Sequence, residues 1–223
     1  SLVRVSVRLT DVPTGEISWS QVFDESVDGS TLFEVEDRIA RKVSGIVADF
    51  RGVIHQHQVG PHPGPGSRTA YDAMLRYYAY LGNLDASEVE PTTEALERAL
   101  EASPDDPLLM AMLAGMVLFN GVGQLGQAST GVVSEHRVQQ AVALARGSIS
   151  IEPANPHALT VMAIVELLHG RPDLCREELD RVVAMRPTNP ALLFMAGVGA
   201  AMGGDWPGGM ERIRESMELN ERH

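Results

Sequence analysis

His55 and His57 stand at i, i+2 in the stretch IHQHQVGPHPGPG, with His62 five residues further on. Imidazole is the commonest side-chain ligand for transition metals, and an extended segment points alternate side chains the same way. The pair therefore has the chemistry to grip one ion. The same stretch interleaves Gly and Pro at a density that neither continues a helix nor pairs in a sheet. Holding an ion also takes a third ligand and groups that orient the rings. A linker is therefore the expected role, and a metal site at His55, His57 and His62 is its alternative.

Other patterns with chemical meaning fare no better. GVGQLG, Gly121 to Gly126, is a literal G-x-G-x-x-G. A dinucleotide site needs that motif after a strand and opening a helix, so that the helix N-terminus can hold a pyrophosphate. Here it follows an apolar helical run, so a loop between helices is expected and no cofactor. The chain's one lysine, Lys42, lies in a helical segment far from any glycine-rich loop, and G-x-S-x-G does not occur. Asp105 and Asp106 sit between Pro104 and Pro107, where a carboxylate caps a helix better than it serves as an acid–base couple. No catalytic residue emerges, and the chain is expected not to be an enzyme.

Composition narrows the classes further. Thirty acidic residues against eighteen basic ones leave a formal charge of −12, which repels phosphate backbones and anionic lipid. Direct nucleic-acid binding by this chain is not expected. One cysteine, Cys175, excludes an internal disulfide and fits a reducing compartment. The longest apolar run, LLMAMLAGMVLF (Leu108 to Phe119), is too short to span a bilayer, and no charged-then-apolar signal segment opens the chain. A cytoplasmic location follows as the expectation, with any membrane anchor of a longer parent protein lying outside this segment.

The elements that would position these residues fall into two groups. LVRVSVRLT and EISWSQVFD alternate apolar and polar residues with period two, with Ile17, Trp19, Gln21 and Phe23 on one side of the second run. Each reads as a strand with one buried face, and DVPTG between them should close a hairpin. STLFEVEDRIARKVSGIVADF places Leu32, Val35, Ile39, Val43, Ile46, Val47 and Phe50 at three- and four-residue spacings behind Ser30 as cap, an amphipathic helix. One hairpin and one helix bury little surface, so residues 1–53 are expected to be the C-terminal part of an α/β domain in a fragment of a longer protein.

Residues 54–68 form the linker, and residues 69–223 carry helical periods with a longer self-similarity laid over them. IEPANPHAL (Ile151 to Leu159) and MRPTNPALL (Met185 to Leu193) match when shifted by 34 residues, which also pairs Gly170 with Gly204. Thirty-four is the length of the tetratricopeptide helix–turn–helix unit. An earlier copy, ASPDDPLL (Ala102 to Leu109), lies 49 residues before IEPANPHA, one repeat plus an insertion near 121–136. The fold class expected is mainly α, a tetratricopeptide-type α-solenoid preceded by a partial α/β unit.

The stretch RVSVRLTDVPTGEISWSQVFDESVDGSTLFEVEDRIARKV resembles the second half of the TolB-like α/β domain of bacterial multidomain regulators, through its LTD…TGE…W…FD hairpin followed by LFEVEDRIA. TAYDAMLRYYAYLGN…ALERALEASPDDP is similar to the first tetratricopeptide unit that trails that domain. The resemblance implies a regulatory region behind a class III adenylate or guanylate cyclase, or behind a winged-helix activator of the CadC type. A small-molecule sensor is the rival class. The resemblance also implies small residues where paired helices cross, at Ala163 and Cys175 and at Gly197 and Gly209. It further implies a groove for a protein or peptide, or for a neighbouring domain, lined by Leu108, Ala111, Gly115 and Leu118; His157, Thr160, Ile164 and Leu167; and Ala191, Phe194, Val198 and Ala201. These positions lack the Lys, Arg and Asn of a carboxylate clamp. A homodimer is expected through the strand edge or through Met210, Ile213 and Met217 at the end of the last repeat.

Overall fold

The computed structural model describes residues 2–12, 14–27, 29, 31–48, 70–123 and 134–220. Strands β1 (Leu2–Thr10) and β2 (Ile17–Ser26) pair antiparallel, with Val5 opposite Phe23 and Leu9 opposite Trp19. The turn is held by Asp11, whose Oδ1 accepts from the Thr14 amide at 2.9 Å and the Thr14 hydroxyl at 2.8 Å, and by Gly15 at φ 71°, where a side chain would be strained. The register shifts between Leu9 and Thr10, so Ile17 pairs with Thr10 on the polar face. Simple alternation places Ile17 beside Trp19 and Phe23. The bulge inserts one residue and turns everything before it to the other side, leaving Ile17 exposed.

Helix α1 (Leu32–Ala48) follows. Its cap is Thr31, and Ser30, the expected cap, lies outside the described residues. The Thr31 amide donates to Glu34 Oε2 at 2.7 Å and the Glu34 amide to Thr31 Oγ1 at 3.3 Å, a reciprocal pair that satisfies two first-turn donors. Phe23, Val35 and Ile39 form the buried centre of this unit, with Val5, Val7, Trp19 and Val43 against it. Lys42 and Arg38 both reach Glu25 at 3.3 Å, so the single lysine ties α1 to β2.

Eight more helices stack in four pairs: α2 (Ala70–Asn83) with α3 (Val89–Ala102), α4 (Pro107–Gly123) with α5 (Glu135–Ile151), α6 (Pro156–Leu168) with α7 (Pro172–Met185), and α8 (Pro190–Met202) with α9 (Trp206–Leu219). A 3-10 turn, Ala86–Glu88, leads into α3. Repeating caps set the starts. Asp106, Asn155 and Asn189 each accept first-turn amides ahead of a proline at the first helical position, where its missing N–H costs nothing. Gly170 and Gly204, 34 residues apart, turn α6 into α7 and α8 into α9 at φ 73° and 97°. One apolar core runs from α2 to α6 around Leu96, Leu109, Met112, Met116 and Leu118, and a smaller one around Ala163, Cys175, Leu179 and Ala196 joins α6, α7 and α8.

A buried hydroxyl recurs in the pairs. Ser148 Oγ donates to the Pro107 carbonyl at 2.7 Å, and Ser216 Oγ to the Pro190 carbonyl at 2.8 Å. Ser148→Ala keeps the small volume and loses one buried hydrogen bond. A loss of about 1 kcal/mol in urea unfolding is expected, and unchanged stability would show that this bond contributes nothing.

The apolar face of α9 is less open than expected. Helix α1 packs against α9, and Leu219 and Asn220 at the end of α9 are buried. Met210 and Ile213 are half-buried, and Met217 alone of the three expected contact residues is exposed. The reason is a long-range one, the return of the N-terminal unit to the last repeat.

Candidate functional site: the inner face of the repeats

The first helices of the four pairs, α2, α4, α6 and α8, touch in succession and form one face. On it the residues assigned to a groove divide into two sets. Ala111 and Leu118 are fully buried, Thr160 and Ile164 nearly so, with Thr160 Oγ1 donating to the Pro156 carbonyl at 2.7 Å. Gly115 is buried as well. Leu108, His157, Leu167, Ala191, Phe194, Val198 and Ala201 are half-buried. The half-buried set lies mainly on α6 and α8, toward the last repeat.

At the other end of the face, α2 closes over α6. Tyr78 Oη and His157 Nε2 are 3.4 Å apart, and the His157 ring lies 6.1 Å from the centroids of both Tyr77 and Tyr78. Tyr77 and Tyr78 meet edge to face at 5.7 Å. Tyr77 and Ala111 belong to the same buried apolar cluster. Burial pushes the His157 imidazole down to about 4, helped by the Arg186 charge and opposed by Glu152. Burial likewise raises the Tyr77 phenol. The cluster is thus neutral and apolar, suited to packing and a hydrogen bond rather than to proton transfer at neutral pH. Its aromatic half was not singled out from sequence, although YYAY places three of the chain's four tyrosines within four residues.

The remaining sequence candidates can be placed. Asp106 caps α4, its Oδ1 accepting from the amides of Leu108 and Leu109 at 2.9 and 3.1 Å. Gly121 to Gly123 are the last residues of α4, so the glycine motif ends a helix where a loop was expected, and its remainder lies outside the described residues. His55, His57 and His62 also lie outside them. Among the described residues no three His, Cys, Asp or Glu side chains converge on a point where a metal could sit. Cys175 is fully buried beside Leu179 and Ala196, its thiol pushed up by burial and by the Glu166 charge, as suits a packing residue. Among the described residues no helix is long and apolar enough to cross a membrane.

A second concavity of about 350 Å³ lies between α5 and α6, floored by Val142, Met162 and Val165 and rimmed by Arg146, His169 and Arg171. Arg171 is tied to Glu166 and to His169 Nδ1, the latter at 3.2 Å.

No protein-family model matches the chain, and no curated protein matches it. Solved structures do. A thermophilic TPR protein of Thermus thermophilus superposes with a TM-score of 0.51 at 13% identity, covering 85% of this chain and 87% of that one. MamA is looser, with a TM-score of 0.41 at 12% identity over 78% of this chain and 91% of that one. At such identities the first likeness speaks for fold alone, and with the stacked, proline-capped helix pairs it places this chain among mainly α proteins as a tetratricopeptide-type solenoid behind a hairpin and a helix.

Proposed function

We propose that this chain is a non-catalytic regulatory and protein-interaction region of a bacterial signalling protein, the C-terminal part of an adenylate or guanylate cyclase or, alternatively, of a winged-helix activator. The observation that carries the interaction role is the half-buried apolar surface of Leu167, Phe194 and Val198 on the inner face of the last two pairs, beside a helix stack built to hold it rigid. Such a surface buries an apolar protein or peptide segment. The TolB-like resemblance of the hairpin and α1 supports the bacterial regulator setting. Nucleic acid is excluded from this reading by charge, and a homodimer remains part of it through the outer edges of β1 and β2, which have no strand partner among the described residues.

Peptides selected from a displayed random library against the chain test the groove. Phe194→Glu with Val198→Glu should abolish their binding, and selected peptides that bind the double variant equally would move the interaction elsewhere. Incubation with ATP or GTP should yield no cyclic nucleotide. A sensor role has one observation in its favour, the cleft between α5 and α6. A thermal-shift screen separates it, because a ligand present at ~100 times its dissociation constant adds about 2.7 kcal/mol of apparent stability.

A further inference from the structure

We propose that α1 is a latch: it docks in cis on the end of α9 through Gly45, closing the N-terminal unit onto the last repeat, and it can be released without unfolding either. Gly45 is buried in the last turn of α1, three residues before its end at Ala48. What it permits is a backbone contact. A Cβ at Gly45 would lie 2.8 Å from the Leu219 carbonyl oxygen and 3.2 Å from the Leu219 Cβ. The obstacle is main chain rather than the far end of a flexible side chain, so a side chain at position 45 pushes α1 away from the end of α9. On the other side of the contact, Leu219 and Asn220 are buried at a helix terminus, where residues are ordinarily solvated.

The contact stands apart from the cores on either side. Val35 and Ile39 face the hairpin with Phe23, and none of the residues of that cluster belongs to the cores of the repeats. By helical spacing Gly45 lies on a different side of α1 from the Val35–Ile39 stripe. Undocking α1 from α9 therefore need not disturb any of these three clusters. The chain's own first unit thus packs against α9, the last helix among the described residues.

The test uses the full chain with spin labels on Glu36→Cys and Glu211→Cys in a Cys175→Ala background. One narrow distance distribution is expected. Gly45→Ala should broaden it although alanine favours the helix, and Gly45→Leu should replace it with a long, broad one, while the Trp19 fluorescence of the hairpin unit, read in a Trp206→Phe background, stays unchanged. Leu219→Asp leaves α1 untouched and should broaden the distribution in the same way. An unchanged narrow distance in Leu219→Asp, or in Gly45→Leu with its hairpin intact, overturns the latch. Labels carried on separate chains that show the same narrow distance when mixed would also overturn it, since docking would then be between copies.

Discussion

Gly209→Leu is expected to break the last helix pair open. At the crossing of α8 and α9 the backbones nearly touch: a Cβ at Gly209 would sit 2.6 Å from the Gly197 carbonyl oxygen and 2.9 Å from Ala201 Cβ and N. In return, one at Gly197 would meet the Gly209 carbonyl oxygen at 2.8 Å and Ile213 Cγ1 at 2.7 Å. Rotamers relieve side-chain crowding, but here the obstacles are mostly main chain, so α9 itself must move. That movement uncovers Leu193, Ala196 and Ala200 and stretches the Ser216 bond to Pro190. Overpacking alone costs about 1–3 kcal/mol, and with the lost burial roughly 3 kcal/mol or more is expected.

For a chain of this size that corresponds to a fall of about 6–12 °C in melting temperature. Because repeat arrays lose stability locally, amide exchange should rise in α8 and α9 and stay low in α4 and α6. Intrinsic propensity predicts the opposite sign, a gain of up to about 1 kcal/mol on removing a helical glycine. A variant that melts at or above the parent temperature would show that the crossing is not tight.

The second large effect is a pH dependence carried by His157. The imidazole titrates near 6.5 in the unfolded chain, and burial against Tyr77 and Tyr78 lowers it to about 4 in the folded one. Between those values the unfolded state binds a proton that the folded state refuses. The stabilisation is thus complete above about pH 6.5 and is lost as pH falls toward 4, amounting to at most about 3 kcal/mol. His157→Gln fills the site with a group that does not titrate and can still bond Tyr78. Urea unfolding at pH 7, 5.5 and 4.5 should show the parent losing stability relative to the variant, with the difference opening between the first and last points. Parallel curves would mean that water reaches the ring and that Tyr78 does not seal it.

The sequence alone determined what depends on near neighbours. Asp106, Asn155 and Asn189 cap helices because a side-chain oxygen and its target amides are two or three residues apart, and proline at the next position needs no donor. Asp11 and Gly15 close the hairpin for the same local reason, and the 34-residue spacing carries the turn glycines and the crossing glycines Gly197 and Gly209 with it. Local rules also misled where one irregularity intervened. The bulge at the Leu9–Thr10 register turns Ile17 outward.

Tertiary structure alone decided which part of the inner face stays open and what its ends touch. Tyr78 meets His157 across 79 positions of chain, a contact that depends on how far successive pairs rotate. Gly45 meets Leu219 because the stacked pairs bring the last helix back to the first unit. Periodicity gives each helix its buried stripe but carries no record of the accumulated rotation between pairs. Small crossing angles summed over four pairs set these distances, and no single segment encodes that sum.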